Sequence, residues 1–258
     1  MSELLLHNLL AEAAKLRAAA LDAHGIDAAR LARLSREHLR LSAVTGRLAP
    51  ADLGQYRLIV QQIEAEQPAL RLALADLFAG PRGVVRVTGL AALNPAQQAA
   101  ITEAADYLSG VTAMNVTVHA VAPPGQRREA YDPAACSLLL SHTGTPAAVV
   151  LHELGHAVEH QAASGRQIEL RQAFYALRTN HQAPVPLQTV TGNPTYHPTE
   201  QTKTDTWVHP YIGKVYADRR ASELLSMGLQ LMYSDPVVLA GDLAYLDFLY
   251  VFLRSACE

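Results

Sequence analysis

The spacing of apolar residues predicts helices along the first third of the chain. Two segments, at about 3–22 and 26–43, carry apolar residues every three or four positions. A third segment with the same spacing begins after Pro50. Pro68 is expected to end or kink this helix, with 69–78 continuing as a further helix, because proline lacks the backbone N–H that a helix interior needs.

The pattern then changes to short strands that alternate with helix. Strands are predicted at 84–87, 116–121 and 136–141, and 122–133 is predicted to be a loop. Between the first two strands, Asn94 is expected to cap a helix that starts at Pro95 and runs to about Leu108, because asparagine accepts hydrogen bonds from the first turn and proline suits its first position.

Helical spacing returns after Thr145 and Pro146, a residue pair typical of a helix start. Helices are predicted at 147–163, 168–178, 209–217, 219–233 and 240–254. The proline-rich stretch 180–206 is expected to be irregular and to form a wall or lid of a cleft. The fold class predicted is α+β and predominantly α-helical, with a helical N-terminal region at 1–80 and a second domain with a small sheet at 84–258.

Composition narrows the class of protein. The chain has 258 residues, 50% of them hydrophobic, and a formal net charge of −3, which excludes global disorder and argues against a dedicated nucleic-acid binder. No apolar run is long enough to predict a membrane span, and the N-terminus is a poor secretory signal. With only Cys136 and Cys257 as cysteines, we expect a reduced, cytoplasmic location, although export as an effector without a signal peptide stays open.

The residues that indicate chemistry are His152, Glu153 and His156, which form the pattern HExxH. Histidines four residues apart lie on one face of a helix, so both imidazoles can bind the same Zn²⁺. Glu153, next to the first ligand, can take a proton from a metal-activated water. A chance match is the alternative, but the apolar residues around the motif predict a buried helix, where these polar groups are costly unless they bind something.

The third metal ligand is predicted to be Glu223. The spacings of other zinc-peptidase classes would need a histidine at 162 or a glutamate at 175, and these positions hold Ala162 and Tyr175. His160 lies one turn beyond the motif, where a straight helix cannot easily bring a third ligand to one ion. Glu223 lies on a predicted helix among apolar and small residues, although an ordinary exposed helix glutamate is the alternative; Glu159 and Glu169 are expected on solvated faces.

Tyr216, seven residues before Glu223, is the candidate for a catalytic hydroxyl. On a continuous helix it would lie two turns away, and its hydroxyl could stabilise the oxyanion of a tetrahedral intermediate. Tyr211 is the second candidate, and a core tyrosine is the alternative for either. His119, His142, His197 and His209 are further candidates to line the cleft, with His209 ranked first.

The combination HELGHAVEH with a glutamate on a later helix resembles the gluzincin peptidases. The Tyr216–Glu223 spacing is similar to that of anthrax lethal factor-like peptidases, and 211–253 resembles a segment of phage minor head and head-morphogenesis proteins. Together these likenesses cover about 136–255. They imply a zincin fold with zinc bound by His152, His156 and Glu223, and with Glu153 catalytic.

The function predicted is a zinc-dependent endopeptidase that acts on a protein or peptide substrate, with no nucleic-acid or membrane partner. Two alternatives stay open. One is a phage-derived head-morphogenesis or structural protein whose zinc site supports the fold, and the other is a secreted bacterial effector or toxin protease.

Overall fold

The computed structural model describes residues 1–42, 50–141, 144–161, 165–217 and 221–255. The chain is mostly helical with a small mixed sheet, which confirms the predicted α+β class. The helices are α1 (Glu3–Ala23), α2 (Ala28–Ser42), α3 (Pro50–Leu77), α4 (Pro95–Val111), α5 (Ala147–Gln161), α6 (Gly165–Thr179), α7 (Leu187–Thr191), α8 (Leu224–Ser234), α9 (Pro236–Leu239) and α10 (Leu243–Arg254). The strands are β1 (Val85–Thr88), β2 (Val116–Val121), β3 (Ala130–Asp132), β4 (Ser137–Leu139), β5 (Pro184–Pro186) and β6 (Gln201–Lys203).

Helix α3 continues through Pro68, so the predicted end of the helix there is wrong. Proline in a helix interior costs about 3 kcal/mol, since it removes one hydrogen bond and crowds the carbonyl four residues earlier. Pro68 and Glu64, whose carbonyl loses its donor, are both exposed, so water can take the place of that donor. Ile63 and Leu70, on either side of Pro68, are buried in the core and hold both halves of the helix to it.

The four-stranded sheet has the order β1-β2-β4-β3. Strands β1, β2 and β4 are parallel, and α4 forms the crossover between β1 and β2. Asn94 caps α4 as predicted, and its side chain and that of Gln97 bond each other's backbone N–H. The outer strand β3 pairs antiparallel with β4, with Tyr131 opposite Leu138. It lies in the segment predicted to be a loop, because its three residues are too few to show a sequence pattern.

Two segments after α6 differ from prediction. The stretch 180–206, predicted to be irregular, contains the antiparallel pair β5–β6 and helix α7. The predicted helix at 209–217 is only a short 3₁₀ turn, Pro210–Gly213. Beyond that turn the backbone is extended, because Lys214 bridges to Thr202 and the Val215 N–H donates to the Gln201 carbonyl at 2.8 Å.

Helix α5 lies between the sheet and α8, and the N-terminal helices pack on the other side of the molecule. Helix α1 packs against α10 and α6, whereas α2 and α3 pack against α9. Arg17 on α1 forms a two-point ion pair with Asp247 on α10, at 2.6 and 3.2 Å. The buried apolar side chains of these helices belong to one continuous core with those around the sheet. In the described part of the chain, no helix combines the length and apolar character that a bilayer crossing requires.

Candidate metal centre

Helix α5 presents the two motif histidines on one face. Most of its other positions hold alanine, valine or leucine, and Val150, Leu151 and Leu154 are completely buried. The side chains of His152 and His156 are 12% and 21% exposed, so they lie at the edge of this core. Residues four apart on a helix are one turn apart, which places the two imidazoles side by side with ring centroids 5.1 Å from each other.

Gly155 allows α8 to approach α5 next to these histidines. A Cβ atom added at Gly155 would lie 2.6 Å from the Cα of Ser226 and 2.8 Å from its backbone N. Glycine costs about 1 kcal/mol relative to alanine inside a helix, so its presence needs a reason, and this backbone contact supplies one. The close approach brings the first turn of α8, and the residue before it, to the histidine face.

That residue is Glu223, which immediately precedes α8 and is 1% exposed. Its Oε2 lies 3.3 Å from the Nε2 of His152 and 3.3 Å from the Nε2 of His156. The three side chains offer ligand atoms that all lie within 4.8 Å of one another. In a tetrahedral zinc site with bonds of about 2.0 to 2.1 Å, neighbouring ligand atoms are about 3.3 to 3.4 Å apart. The separations of Glu223 from the two histidines therefore fit a small tetrahedral ion.

The Glu223 carboxylate is held on both oxygens. The Tyr216 hydroxyl donates to Oε1, and the Ser226 hydroxyl donates to Oε2 at 2.7 Å. Burial alone would raise the pKa of Glu223, but its contacts with His152 and His156 outweigh burial and hold that pKa well below the usual range. The carboxylate is therefore ionised at neutral pH, the state in which it can bind a cation.

A second buried carboxylate, Glu159, braces the segment around Glu223. It accepts hydrogen bonds from the Ser222 hydroxyl at 2.5 Å, the Ser222 N–H at 3.2 Å and the Leu225 N–H at 3.3 Å. It also pairs with Arg171 of α6 at 3.2 Å. Glu159 is 5% exposed, so the expectation that it lies on a solvated face is wrong, whereas Glu169 is exposed and meets the N-terminal amine.

Each candidate histidine has a polar neighbour beside its other ring nitrogen, within hydrogen-bond distance only at His152. His152 Nδ1 lies 3.0 Å from Oε1 of Gln230, and His156 Nδ1 lies 4.0 Å from Oε2 of Glu159. Burial lowers the pKa of His156, but Glu159 and Glu223 outweigh it and raise that pKa to about 10. Such outer partners orient the imidazoles that bind a metal. Gln230 was not predicted, although its position on α8, seven residues after Glu223, places it two turns beyond that residue.

Glu153 projects from the same helix but is not one of the three clustered ligand groups. It is 9% exposed, and within the described residues its carboxylate has no hydrogen-bond or ion-pair partner. A carboxylate on the same helix as the candidate ligands, with its oxygens uncommitted, is available to accept a proton.

The two candidate tyrosines lie beside the cluster, although the continuous helix expected between Tyr216 and Glu223 is absent from the described residues 214–217 and 221–223. The Tyr216 hydroxyl reaches Glu223 from the segment just after Lys214 and Val215, which pair with β6. The Tyr211 hydroxyl accepts a hydrogen bond from Lys214 at 3.0 Å, and its ring lies 6.4 Å from that of His152. Burial and the nearby Glu223 charge raise the pKa of both tyrosines, so both hydroxyls stay protonated.

The remaining histidine candidates have other partners. His119 meets the Thr88 hydroxyl, His160 meets Tyr131, and His197 meets Thr199. His209 caps the 3₁₀ turn by accepting from the Tyr211 N–H at 3.2 Å. None of these four is among the clustered ligand groups, and His142 lies outside the described residues.

Comparison of the chain with protein-family models, with curated proteins and with solved structures gave no match.

Proposed function

We propose that the chain is a zinc-dependent endopeptidase of the zincin type, with His152, His156 and Glu223 as the metal ligands. The observation that carries the proposal is the convergence of both HExxH histidines on one ionised carboxylate, Glu223 just before α8, with separations of 3.3 Å. An N–H···O⁻ hydrogen bond between charged partners is usually 2.7 to 2.9 Å long, so these longer separations suit ligands of a shared ion better than hydrogen-bond partners.

The roles of the residues follow from their positions. When bound, zinc would acidify a water molecule and polarise the peptide carbonyl. Glu153 would accept the proton from that water at its carboxylate and deliver it to the leaving amine. Gln230 would keep the His152 ring oriented through its Nδ1 atom, and Glu159 would place a negative charge 4.0 Å from Nδ1 of His156.

Tyr216 is the proposed hydroxyl donor to the charge that develops on the carbonyl oxygen. Its hydroxyl bonds Oε1 of Glu223, the oxygen beside the proposed ligand atom Oε2, so it lies next to the place where the substrate would react. Tyr211 is the second candidate. A Tyr216→Phe variant that keeps zinc but loses turnover supports catalysis, whereas one that loses zinc assigns the tyrosine to holding Glu223.

The number of ligand groups favours catalysis over a zinc site that only supports the fold. Structural zinc sites are closed by four protein ligands, whereas catalytic sites use three and leave one position open. Within the described residues, the cluster consists of three histidine or carboxylate groups. That count supports an open position for water.

The test of the ligand set is the zinc content of the purified protein, measured by mass spectrometry of the metal. We expect about one zinc per chain in the wild type and little in His152→Ala or Glu223→Ala. The matched control is Glu64→Ala, which removes an exposed glutamate of α3 and leaves the zinc content unchanged. Full zinc retention by Glu223→Ala would overturn the ligand assignment.

The test of catalysis uses Glu153→Gln, which keeps the shape of the side chain and removes its basicity. With a peptide library as substrate, we expect cleavage to fall by roughly 10²- to 10⁴-fold, the usual contribution of a general base. Zinc content should stay at the wild-type level. Unchanged cleavage by this variant would exclude the proposed mechanism.

A further inference from the structure

A cavity of about 460 Å³ lies directly beside the candidate metal centre, between α6 and the segment that follows the 3₁₀ turn. It shares Tyr216 and Lys214 with the centre, since both line the cavity and both contact Glu223. Ser222, the residue before the proposed ligand, is also part of the wall. A group bound in this cavity would therefore be held next to the reacting atoms.

The cavity is cationic in a chain that is acidic overall. Arg171, Lys203 and Lys214 line it, and none of its described lining residues is acidic. The chain has only three lysines, and two of them are here. The third, Lys15, lies on α1 and pairs with Glu12.

Two of the three cations are already neutralised from behind the cavity wall. Arg171, with a side chain 3% exposed, pairs with Glu159. Lys214, with a side chain 12% exposed, pairs with Glu200 at 2.7 Å. Lys203 is half-buried, and its ammonium group has no carboxylate partner within the described residues. Lys203 therefore offers a positive charge that a bound monoanion can pair with.

The donors at the outer rim suit the same kind of ligand. Two exposed residues also line the cavity, Gln172 on α6 and Asn180 just after that helix. Each carries an amide that can donate to an oxygen. One ammonium group with two amides can bind the two oxygens of a carboxylate through charge-assisted hydrogen bonds.

We propose that this cavity is a substrate subsite that binds a carboxylate through Lys203. The inference rests on the proposed peptidase function for its role, and it assigns the substrate class: peptides with a carboxylate close to the cleaved bond. That carboxylate has two sources, an aspartate or glutamate side chain or the C-terminus of the peptide.

The test measures, by NMR, the binding of small blocked amino acids to the full chain. N-acetyl-glutamate N-methylamide carries a side-chain carboxylate, N-acetyl-alanine carries a terminal one, and N-acetyl-glutamine N-methylamide is the neutral control. We expect one of the two carboxylates to bind more tightly than the neutral compound, which identifies its source. Lys203→Met, which keeps an apolar stem, should weaken that binding roughly tenfold or more, the effect of losing one charged hydrogen bond.

Matched variants separate this inference from the proposed function. Lys15→Met should bind like the wild type, and Lys203→Arg should restore most of the affinity. His152→Ala, which disables the metal site, should retain carboxylate binding. Three results would overturn the subsite. Carboxylate binding could be unchanged in Lys203→Met, it could be lost in His152→Ala, or neither carboxylate could bind more strongly than the neutral compound. If Lys203→Met proves unstable on thermal unfolding, the same criteria apply to Lys203→Gln.

Discussion

Replacement of Gly155 by alanine tests whether the close contact of two helices positions the third ligand. The added Cβ would lie 2.6 Å from the Cα of Ser226, whereas unstrained carbon atoms lie about 3.5 Å apart. Helix α8 would therefore have to move by roughly 0.9 Å. The contact is with backbone atoms, which cannot rotate away as a flexible side chain can.

The effect of Gly155→Ala on stability depends on two opposing contributions, helix propensity and overpacking. Alanine gains about 1 kcal/mol over glycine from helix propensity. Overpacking in a well-packed interior costs about 1 to 3 kcal/mol, and a backbone contact lies toward the upper end of that range. We expect Gly155→Ala to lower the free energy of unfolding by about 1 to 2 kcal/mol. Because Glu223 moves with α8, zinc affinity should also fall, by about 10- to 100-fold, as when a supporting contact of a metal ligand is removed.

Urea unfolding and zinc competition with a chelator measure the two effects. Gly54→Ala is the matched control, because Gly54 also lies in a helix and a Cβ added there meets no atom within 4 Å. That variant should be as stable as the wild type or slightly more stable, with unchanged zinc affinity. If Gly155→Ala behaves like Gly54→Ala, the contact does not position Glu223.

Three other predictions follow from contacts outside the ligand set. Arg17→Met leaves the buried Asp247 carboxylate unpaired, so urea unfolding should show a loss of about 3 kcal/mol, largely recovered when Asp247→Leu is added. Gln230→Leu frees Nδ1 of His152, so chelator competition should show zinc bound about 10-fold more weakly; an unchanged affinity would remove Gln230 from the site. Burial raises the pKa of Glu129, but hydrogen bonds from two hydroxyls outweigh it and lower that pKa. Its folded-state pKa thus lies below the unfolded value of 4.5, so its stabilisation is present above about pH 4.5 and is lost as pH falls through the folded pKa. The difference in unfolding free energy between the wild type and Glu129→Gln should shrink on acidification, and a pH-independent difference would contradict this assignment.

The local features of the fold could be predicted from sequence where neighbouring residues decide them. The cap at Asn94 and the helix that carries His152 and His156 depend on contacts within a turn or two, which a residue pattern reports. Strand β3 could not be predicted, because its three residues are held by pairing with β4 rather than by their own preferences. The failure at Pro68 has a similar cause, since core contacts on both sides of it hold the helix together.

The candidate site likewise contains residues that the sequence could predict and contacts that it could not. The two histidines follow from their spacing, and Glu223 was reached through its apolar and small neighbours. The expected helix over 209–217 was wrong, yet the side chains of Tyr216 and Glu223 meet, and the pairing of Lys214 and Val215 with β6 fixes the segment just before Tyr216. The burial of Glu159 depends on Ser222 and Arg171, which are distant in sequence, so no local pattern could reveal it.

The contacts of Glu159 with the backbone around Glu223 bear on which metal ions the candidate centre would bind. Because Glu159 bonds the backbone on both sides of Glu223, the separations between the ligand atoms are set when the chain folds and cannot widen freely. Calcium needs six to eight oxygen ligands at about 2.3 to 2.6 Å, and magnesium about six in an octahedron. Two imidazoles and one carboxylate offer neither the number of ligands nor the all-oxygen donor set that these ions prefer. The same buried contacts that hold α5 and α8 together would thus present a nitrogen-rich set of three ligand groups, which discriminates against the abundant alkaline-earth ions.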